Sequence, residues 1–380
     1  MSPRSSLRRS LGRQAPEHGR VIARLLLLVI VVAIALEGGY LWLGHVYNSP
    51  GPSKDIVRVQ VEQGASVRTV LTDLNKQGAL QRPRTVELYL RIQQHLKRGT
   101  PQRIQIGTYE IPAGASPAQI MELFDQGRVV LEQLTIIEGS RFADLRHLLD
   151  SHAAVTHTLL GKSDAEVMTA LGHEVEFPEG RFFPDTYRFA PKTTDVDILG
   201  IAYNAMQRAL DEAWQHRSSE LPLQSPYEAL ILASIIEKET GLPAERPRIA
   251  GVFVTRLRKG MRLQTDPTVI YGLGASYDGY IHTRDLATDT PYNTYTRAGL
   301  PPTPIALPGR ESLMAAVNPQ ESGDIYFVAT GNGDGAHHFS KTLEEHNAAV
   351  RSYLEHLRAQ QHGSGASETG AHGAAARGVQ

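Results

Sequence analysis

Twelve consecutive apolar residues, "LLLLVIVVAIAL" from Leu25 to Leu36, dominate the hydrophobic pattern near the N-terminus. After Glu37 the apolar character resumes through Tyr40, Leu41 and Trp42, so Leu25 to Gly44 forms one 20-residue stretch. That is about the length an α-helix needs to cross a bilayer. The stretch "NSPGPSKD", Asn48 to Asp55, is turn-rich, and residues 45–54 read as a linker. A strand–turn–helix pattern then recurs. "VRVQV" alternates apolar and polar positions, the chain turns at Gly64, and Val67, Val70, Leu71 and Leu74 follow at helical spacing. "QIGTYEIPAGASPAQIMELF" repeats the plan, with Ser116 as N-cap and Pro117 at the first helical position. "LTIIEGSRFADLRHLLDS" is a third version, using Gly139 and Ser140. Between the first two lies an amphipathic helix carrying Val86, Tyr89, Leu90, Ile92 and Leu96.

These patterns predict an α+β protein with a single N-terminal transmembrane helix. The expected organisation is a basic tail over residues 1–24, the membrane helix over 25–44 and the linker over 45–54. A small domain with a connecting helix follows over 55–135, a larger mixed α+β domain over 136–358, and a flexible tail over 359–380. The β-α-α-β unit of residues 55–112 resembles the LysM fold, a small glycan-binding module; its plainer reading is a generic α+β domain.

Charge decides the orientation of the apolar helix. Residues 1–24 carry six arginines, Arg4, Arg8, Arg9, Arg13, Arg20 and Arg24, against Glu17. Arginine before the span places the N-terminus in the cytoplasm and the body of the protein across the membrane. A cleaved signal peptide is the competing reading, since "AIA" at residues 33–35 resembles a cleavage site. Both export the body. Elsewhere the formal net charge of -1 gives no electrostatic footprint, and no nucleic-acid partner is expected. The absence of cysteine excludes disulfides, thiolate metal sites and a cysteine nucleophile.

Candidate chemistry centres on "ILASIIEKET", Ile231 to Thr240. Ser225 as N-cap, Pro226 at the first helical position and Glu228 at the third form a capping-box pattern, and Gly241 ends the helix. Apolar residues cover nearly the whole circumference, which predicts a buried helix. Glu237 lies in its last turn, on the face of Leu230, Ala233 and Ser234. Apolar surroundings and the negative end of the helix dipole both disfavour an ionised carboxyl there, as general acid catalysis requires. Spacing alone equally allows Glu237, Lys238 and Glu239 to be the wet end of a core helix. Glu239, on the far side of the helix, is the expected solvent-facing acid. Upstream, "EFPEGRFFPDTYRFAP" combines Glu179 and Asp185 with Phe182, Phe183, Tyr187 and Phe189, a mixture that lines sugar sites but is more often core. His337, His338 and His346 match no known zinc spacing, so no metal is expected.

The motifs "LASIIEKETG", "IAGVFVTRLRKGMRLQTDPTVIYGLG", "YNTYTRAGLPPTPIALPG" and "YFVATGNGDGAHHFSKTLEEHN" resemble, in order and spacing, the YceG-like endolytic murein transglycosylases. "EGRFFPDTYRF" resembles that family's upstream aromatic segment, and the likeness covers about residues 55–355. It implies a bitopic inner-membrane protein with a LysM-like subdomain and a catalytic domain in the periplasm. Such enzymes cleave the bond between N-acetylmuramic acid and N-acetylglucosamine within nascent peptidoglycan strands. The matching glutamate, Glu237, would protonate the leaving oxygen and then deprotonate the muramic acid's own 6-hydroxyl, closing a 1,6-anhydro ring. No water enters, so the resemblance implies a lyase reaction that needs one acid/base and neither a metal nor an organic cofactor.

Gln264, Asp266 and Tyr271, with Tyr292, Asn293 and Tyr295, are candidates for contacting glycan, although Asp266 before Pro267 also suits a turn. Peptidoglycan strands and the membrane are the expected partners. Location and substrate also point to association with glycan-polymerising cell-wall synthases. Two rival functions stand beside the transglycosylase: a hydrolase using Asp266 or Asp185 as a second acid, and a membrane-tethered glycan-binding scaffold.

Overall fold

The computed structural model describes residues 17–62, 64–96 and 104–363. Most of the expected basic tail, residues 1–24, and of the expected flexible tail, residues 359–380, lies outside the described residues. The chain divides into two compact units between Leu131 and Glu132.

The first unit begins with helix α1 (Glu17–Asn48). Within it, Val21–Asn48 is long and apolar enough to cross a membrane, and its leucines, isoleucines and valines up to Leu36 are exposed. Strand β1 (Val57–Val61), helices α2 (Val67–Lys76) and α3 (Pro83–His95), strand β2 (Gly107–Ile111) and helix α4 (Pro117–Asp125) follow. β1 and β2 pair antiparallel, Val57 opposite Ile111 and Val61 opposite Gly107. Ser66 and Ser116 cap α2 and α4 by accepting the backbone N–H groups of Thr69 and Gln119. Leu71, Leu74, Tyr109, Ile111, Ile120 and Phe124 close a dry core between the strands and helices.

The second unit starts with β3 (Glu132–Thr135), α5 (Phe142–Ser151), α6 (Asp164–Ala170), β4 (Thr186–Phe189) and α7 (Asp195–Gln215). It continues with α8 (Pro226–Glu239), α9 (Arg246–Arg258), α10 (Asp266–Leu273), α11 (Thr283–Ala287) and α12 (Arg310–Val317). Strands β5 (Tyr326–Ala329) and β6 (His337–Ser340) and helix α13 (Leu343–Gly363) complete it. β3 pairs antiparallel with β4, and β5 with β6. The third turn–helix differs in detail from expectation. Arg141 is the N-cap of α5, its backbone N–H bonded by Asp144, while the Ser140 hydroxyl turns back to the carbonyl of Ile137.

Helix α8 is the axis of the second unit. Every residue from Ala229 to Ile236 is buried, and it packs with Phe253 of α9, Leu313 of α12 and Phe327 of β5 in one apolar core. Its start departs slightly from the expected reciprocal box. Ser225 accepts from the N–H of Glu228, but Glu228 bonds the N–H of Gln224 instead of returning to Ser225. A helix apolar on all sides needs such enclosure, and the enclosure fixes where its polar last turn emerges.

Candidate active site

Three segments distant in sequence meet at the end of α8. Buried Ser234 donates to the carbonyl of Ile231 at 2.7 Å and accepts the backbone N–H of Ile305 at 3.0 Å, which ties the "IALPG" loop to the helix. The same loop exchanges hydrogen bonds with the turn after β3: Gly139 N–H to Leu307 carbonyl and Leu307 N–H to Ser140 carbonyl, each 2.8 Å. Lys238 Nζ donates to the Gly139 carbonyl at 3.0 Å. Gly139 has φ +75°, a left-handed conformation that suits glycine, and a Cβ there would stand 3.7 Å from Glu237 Cγ.

Glu237 lies at this junction with its side chain 5% exposed. Its Oε2 accepts the backbone N–H of Gly309 at 2.9 Å, and its Oε1 accepts from Arg246 Nη2 at 3.1 Å. Arg246 is itself 8% exposed in its side chain and reaches Glu311 Oε2 through Nη1 at 2.6 Å. Its Nη2 also lies 3.8 Å from Glu138 Oε2. Gly309 admits this crowd because it lacks a Cβ, which would collide with the Glu138 carboxylate. Burial, Glu237 and Glu311 push the Glu138 carboxyl above its usual range, against the pull of Arg246. Glu237 is therefore not a bare acid on apolar surface. It is an oriented carboxyl held by one backbone donor and one guanidinium.

A second cluster joins α10 to the aromatic segment. Tyr271 donates its hydroxyl to Glu179 Oε2 at 3.1 Å, and the Phe142 N–H donates to Glu179 Oε1 at 2.9 Å. Burial pushes the Glu179 carboxyl up to about 7. Tyr292 meets Tyr271 edge-on with centroids 4.9 Å apart, and the Arg141 guanidinium lies 5.3 Å from the Tyr271 ring centre. The remaining aromatics upstream are mostly core: Phe182 stacks on Phe142 at 5.1 Å, and Tyr187 and Phe189 are buried beside them. Asp185 is exposed and bonds the N–H of Thr186.

The third cluster overturns one expectation. Glu239 does not face solvent. Its carboxyl accepts the Thr265 hydroxyl, and burial, reinforced by Asp266, pushes it up to about 7. Helical spacing gave the angle correctly; the loop that covers that side comes from residues 264–266, beyond the reach of local pattern. There Tyr295 donates to Asp266 Oδ1 at 2.6 Å, and Gln264 Oε1 accepts from Arg256 at 3.2 Å. Asn293 is buried, and its Nδ2 donates to the carbonyls of Asp285, Leu286 and Thr288, which braces the loop. The six candidate contact residues thus fall into two neighbourhoods, Tyr271 with Tyr292 and Gln264 with Asp266 and Tyr295, with Asn293 interior. His337 pairs with Glu245 at 2.7 Å, and His346 is buried against the Tyr326 ring.

Glu138, Arg246, Gly309 and Glu311 were not singled out from sequence. Only the Glu138–Gly139 turn carried a local signal; Arg246 and Gly309 act through tertiary approach.

The chain belongs to the YceG-like family, which matches residues 59–352. Among curated relatives, the endolytic murein transglycosylase of Bacillus subtilis (strain 168) is 31% identical over 322 residues, covering 80% of this chain and 86% of that protein. The endolytic murein transglycosylase of Streptococcus pneumoniae serotype 2 (strain D39) is 26% identical over 367 residues, covering 87% of this chain and 64% of its own length. The crystal structure of a yceG-like protein, lmo1499, from Listeria monocytogenes aligns at 29% identity and a TM-score of 0.48, covering 78% of this chain and 99% of that one.

Proposed function

We propose that the protein is a membrane-anchored endolytic murein transglycosylase, a lyase that cuts the MurNAc–GlcNAc bond within nascent glycan strands and so ends their elongation. The observation that carries this reading is Glu237: a nearly buried carboxyl at the end of a largely apolar helix, oriented by Arg246 and the Gly309 N–H, in a chain whose relatives bear that enzyme name.

In the mechanism, protonated Glu237 gives its proton to the glycosidic oxygen as the C1–O bond breaks and its electron pair goes to that oxygen. The resulting carboxylate takes the proton of the muramic acid O6, which closes on C1. The proton count on Glu237 is restored and no water is consumed. A general acid/base of this kind contributes about 10²- to 10⁴-fold to rate, and the usual second carboxylate of a glycosidase is not required because the nucleophile belongs to the substrate.

In this reading residues 136–358 form the catalytic domain, and the β-α-α-β unit serves as a LysM-like glycan-binding module. Tyr271 and Tyr292 offer ring faces to pyranose. Gln264, Asp266 and Tyr295 offer polar groups to hydroxyls, while Asn293 supports their loop. The helix Val21–Asn48 anchors the protein in the inner membrane with its N-terminus cytoplasmic and its body periplasmic, where glycan-polymerising synthases are the expected neighbours. Borohydride reduction of the cleavage products tests the reaction class. Anhydro ends resist reduction, as a lyase requires; ends that gain two hydrogens identify a hydrolase and overturn the proposal.

A further inference from the structure

The first unit is fixed to the end of α1. The Tyr89 ring of α3 lies 5.9 Å from the Tyr40 ring and 4.7 Å from the Tyr47 ring, and Gln93 Nε2 donates to the Tyr40 hydroxyl at 2.9 Å. Past α1, the Gly51 N–H donates to the Gly114 carbonyl and the Gly114 N–H to the Ser53 carbonyl. At the start of α3 the Arg82 guanidinium lies 5.9 Å from the Trp42 ring centre. Arg82 and Gln93 stand about 16 Å apart along α3, yet they meet α1 at Trp42 and Tyr40, about 3 Å apart along its axis. Helix α3 therefore crosses α1 and does not run beside it. A bilayer core takes about 20 residues of helix, so a span that begins at Leu25 comes out near Gly44. Tyr40 and Trp42 then stand at the headgroup boundary, where such rings are enriched, and α3 stands there with them.

We propose that α3 lies on the bilayer surface and that its outer stripe binds anionic phospholipid headgroups. The proposal rests on the membrane-spanning reading of α1. Val86 and Leu90 turn the inner side of α3 to the core of the unit. Arg84, Leu88, Arg91 and His95, spaced by four, three and four, form the opposite stripe, and all four are exposed. Such a stripe suits a membrane interface: arginine meets phosphate while leucine enters the acyl boundary. Glu87, the single acid of α3, is 13% exposed in its side chain and held between Arg68 and Arg91, so no carboxylate stands on the stripe. Arg82 joins it to the exposed Trp42 and Leu41 of α1, which makes one surface with the span. Two contacts with the bilayer, α1 through it and α3 on it, hold the first unit at a set height where one alone would let it tilt.

The chain has no cysteine, so Leu88→Cys, Arg58→Cys and Ile30→Cys each place one spin label in the full chain. The probe is a vesicle of phosphatidylglycerol and phosphatidylcholine. Arg58 is exposed on the outer side of β1, away from the core that α3 covers, and Ile30 lies within the span. Collision with oxygen reports lipid, and collision with an aqueous nickel chelate reports water. The Leu88 label should be shielded from nickel, as the Ile30 label is, with the Arg58 label open. A Leu88 label as open as the Arg58 label, with Ile30 in lipid, overturns the proposal and leaves the anchor standing. All three labels open to nickel overturn both. Shielding of Leu88 that appears only after glycan strands are added assigns the stripe to glycan and also overturns the proposal. Spin-labelled phosphatidylglycerol tests the charge. Its association relative to phosphatidylcholine should fall about fivefold for each of Arg84→Gln and Arg91→Gln; a ratio unchanged by both overturns the headgroup assignment.

Discussion

A carboxyl that must give a proton to one oxygen and recover it from another works only if its rotamer stays put. In the proposed mechanism that carboxyl is Glu237, which has a donor on each oxygen, the Gly309 N–H and Arg246 Nη2. At two other acids burial outweighs the pull of a nearby guanidinium, Arg141 for Glu179 and Arg256 for Glu239. Glu179 and Glu239 are both pushed up to about 7 from an ordinary 4.5. An acid raised in the folded state stabilises the fold fully below its unfolded value and loses that contribution as the pH rises through its folded value. For Glu239 the window runs from about 4.5 to about 7. Glu239→Gln removes the titration, so its stability relative to the wild type should rise between pH 5 and pH 8, by on the order of 2 kcal/mol. Chemical denaturation at the two pH values measures it, and a flat difference would contradict burial of Glu239. Sequence misjudged this residue because spacing fixes an angle around a helix, whereas Thr265 and Asp266 decide what stands at that angle.

Among elements, the strand–turn–helix units were legible because their signals are local: alternation, a glycine, a capping serine, then helical spacing. Helix α8 was legible for the same reason, from Ser225 through Gly241. The site was only half legible. Glu237 was visible at the end of its helix, but Glu138, Arg246 and Gly309 arrive from a turn, a second helix and a loop, and only the Glu138–Gly139 turn has a local signal to mark it. The "IALPG" loop is what joins them, and Ser234 holds it. Ser234→Ala leaves the buried Ile305 N–H without its partner, at a cost of about 2 kcal/mol. It should also reduce cleavage by loosening the Gly309 donor. Unfolding in urea and a glycan-cleavage rate check the two effects; an unchanged midpoint would mean that the loop is held elsewhere.

At the scale of the whole molecule, the proposed function gives one apolar helix the task of setting where the chemistry takes place. Residues Val21–Asn48 are apolar enough to span, and arginines precede them. The intact chain should therefore sediment with membranes and release only in detergent, with its original N-terminus retained. A mature protein starting near Leu36 would contradict the anchor. The helix was plain in the sequence because membrane insertion depends on length and composition, which need no tertiary partner. The account's central claim is that Glu237 drives a water-free cut within glycan strands. Its most direct test is digestion of purified, un-crosslinked strands by the intact protein and by Glu237→Gln, with products weighed by mass spectrometry. The account predicts internal cuts ending in anhydromuramic acid from the intact protein and none from the variant. Fragments heavier by one water, or equal cleavage by Glu237→Gln, would contradict it.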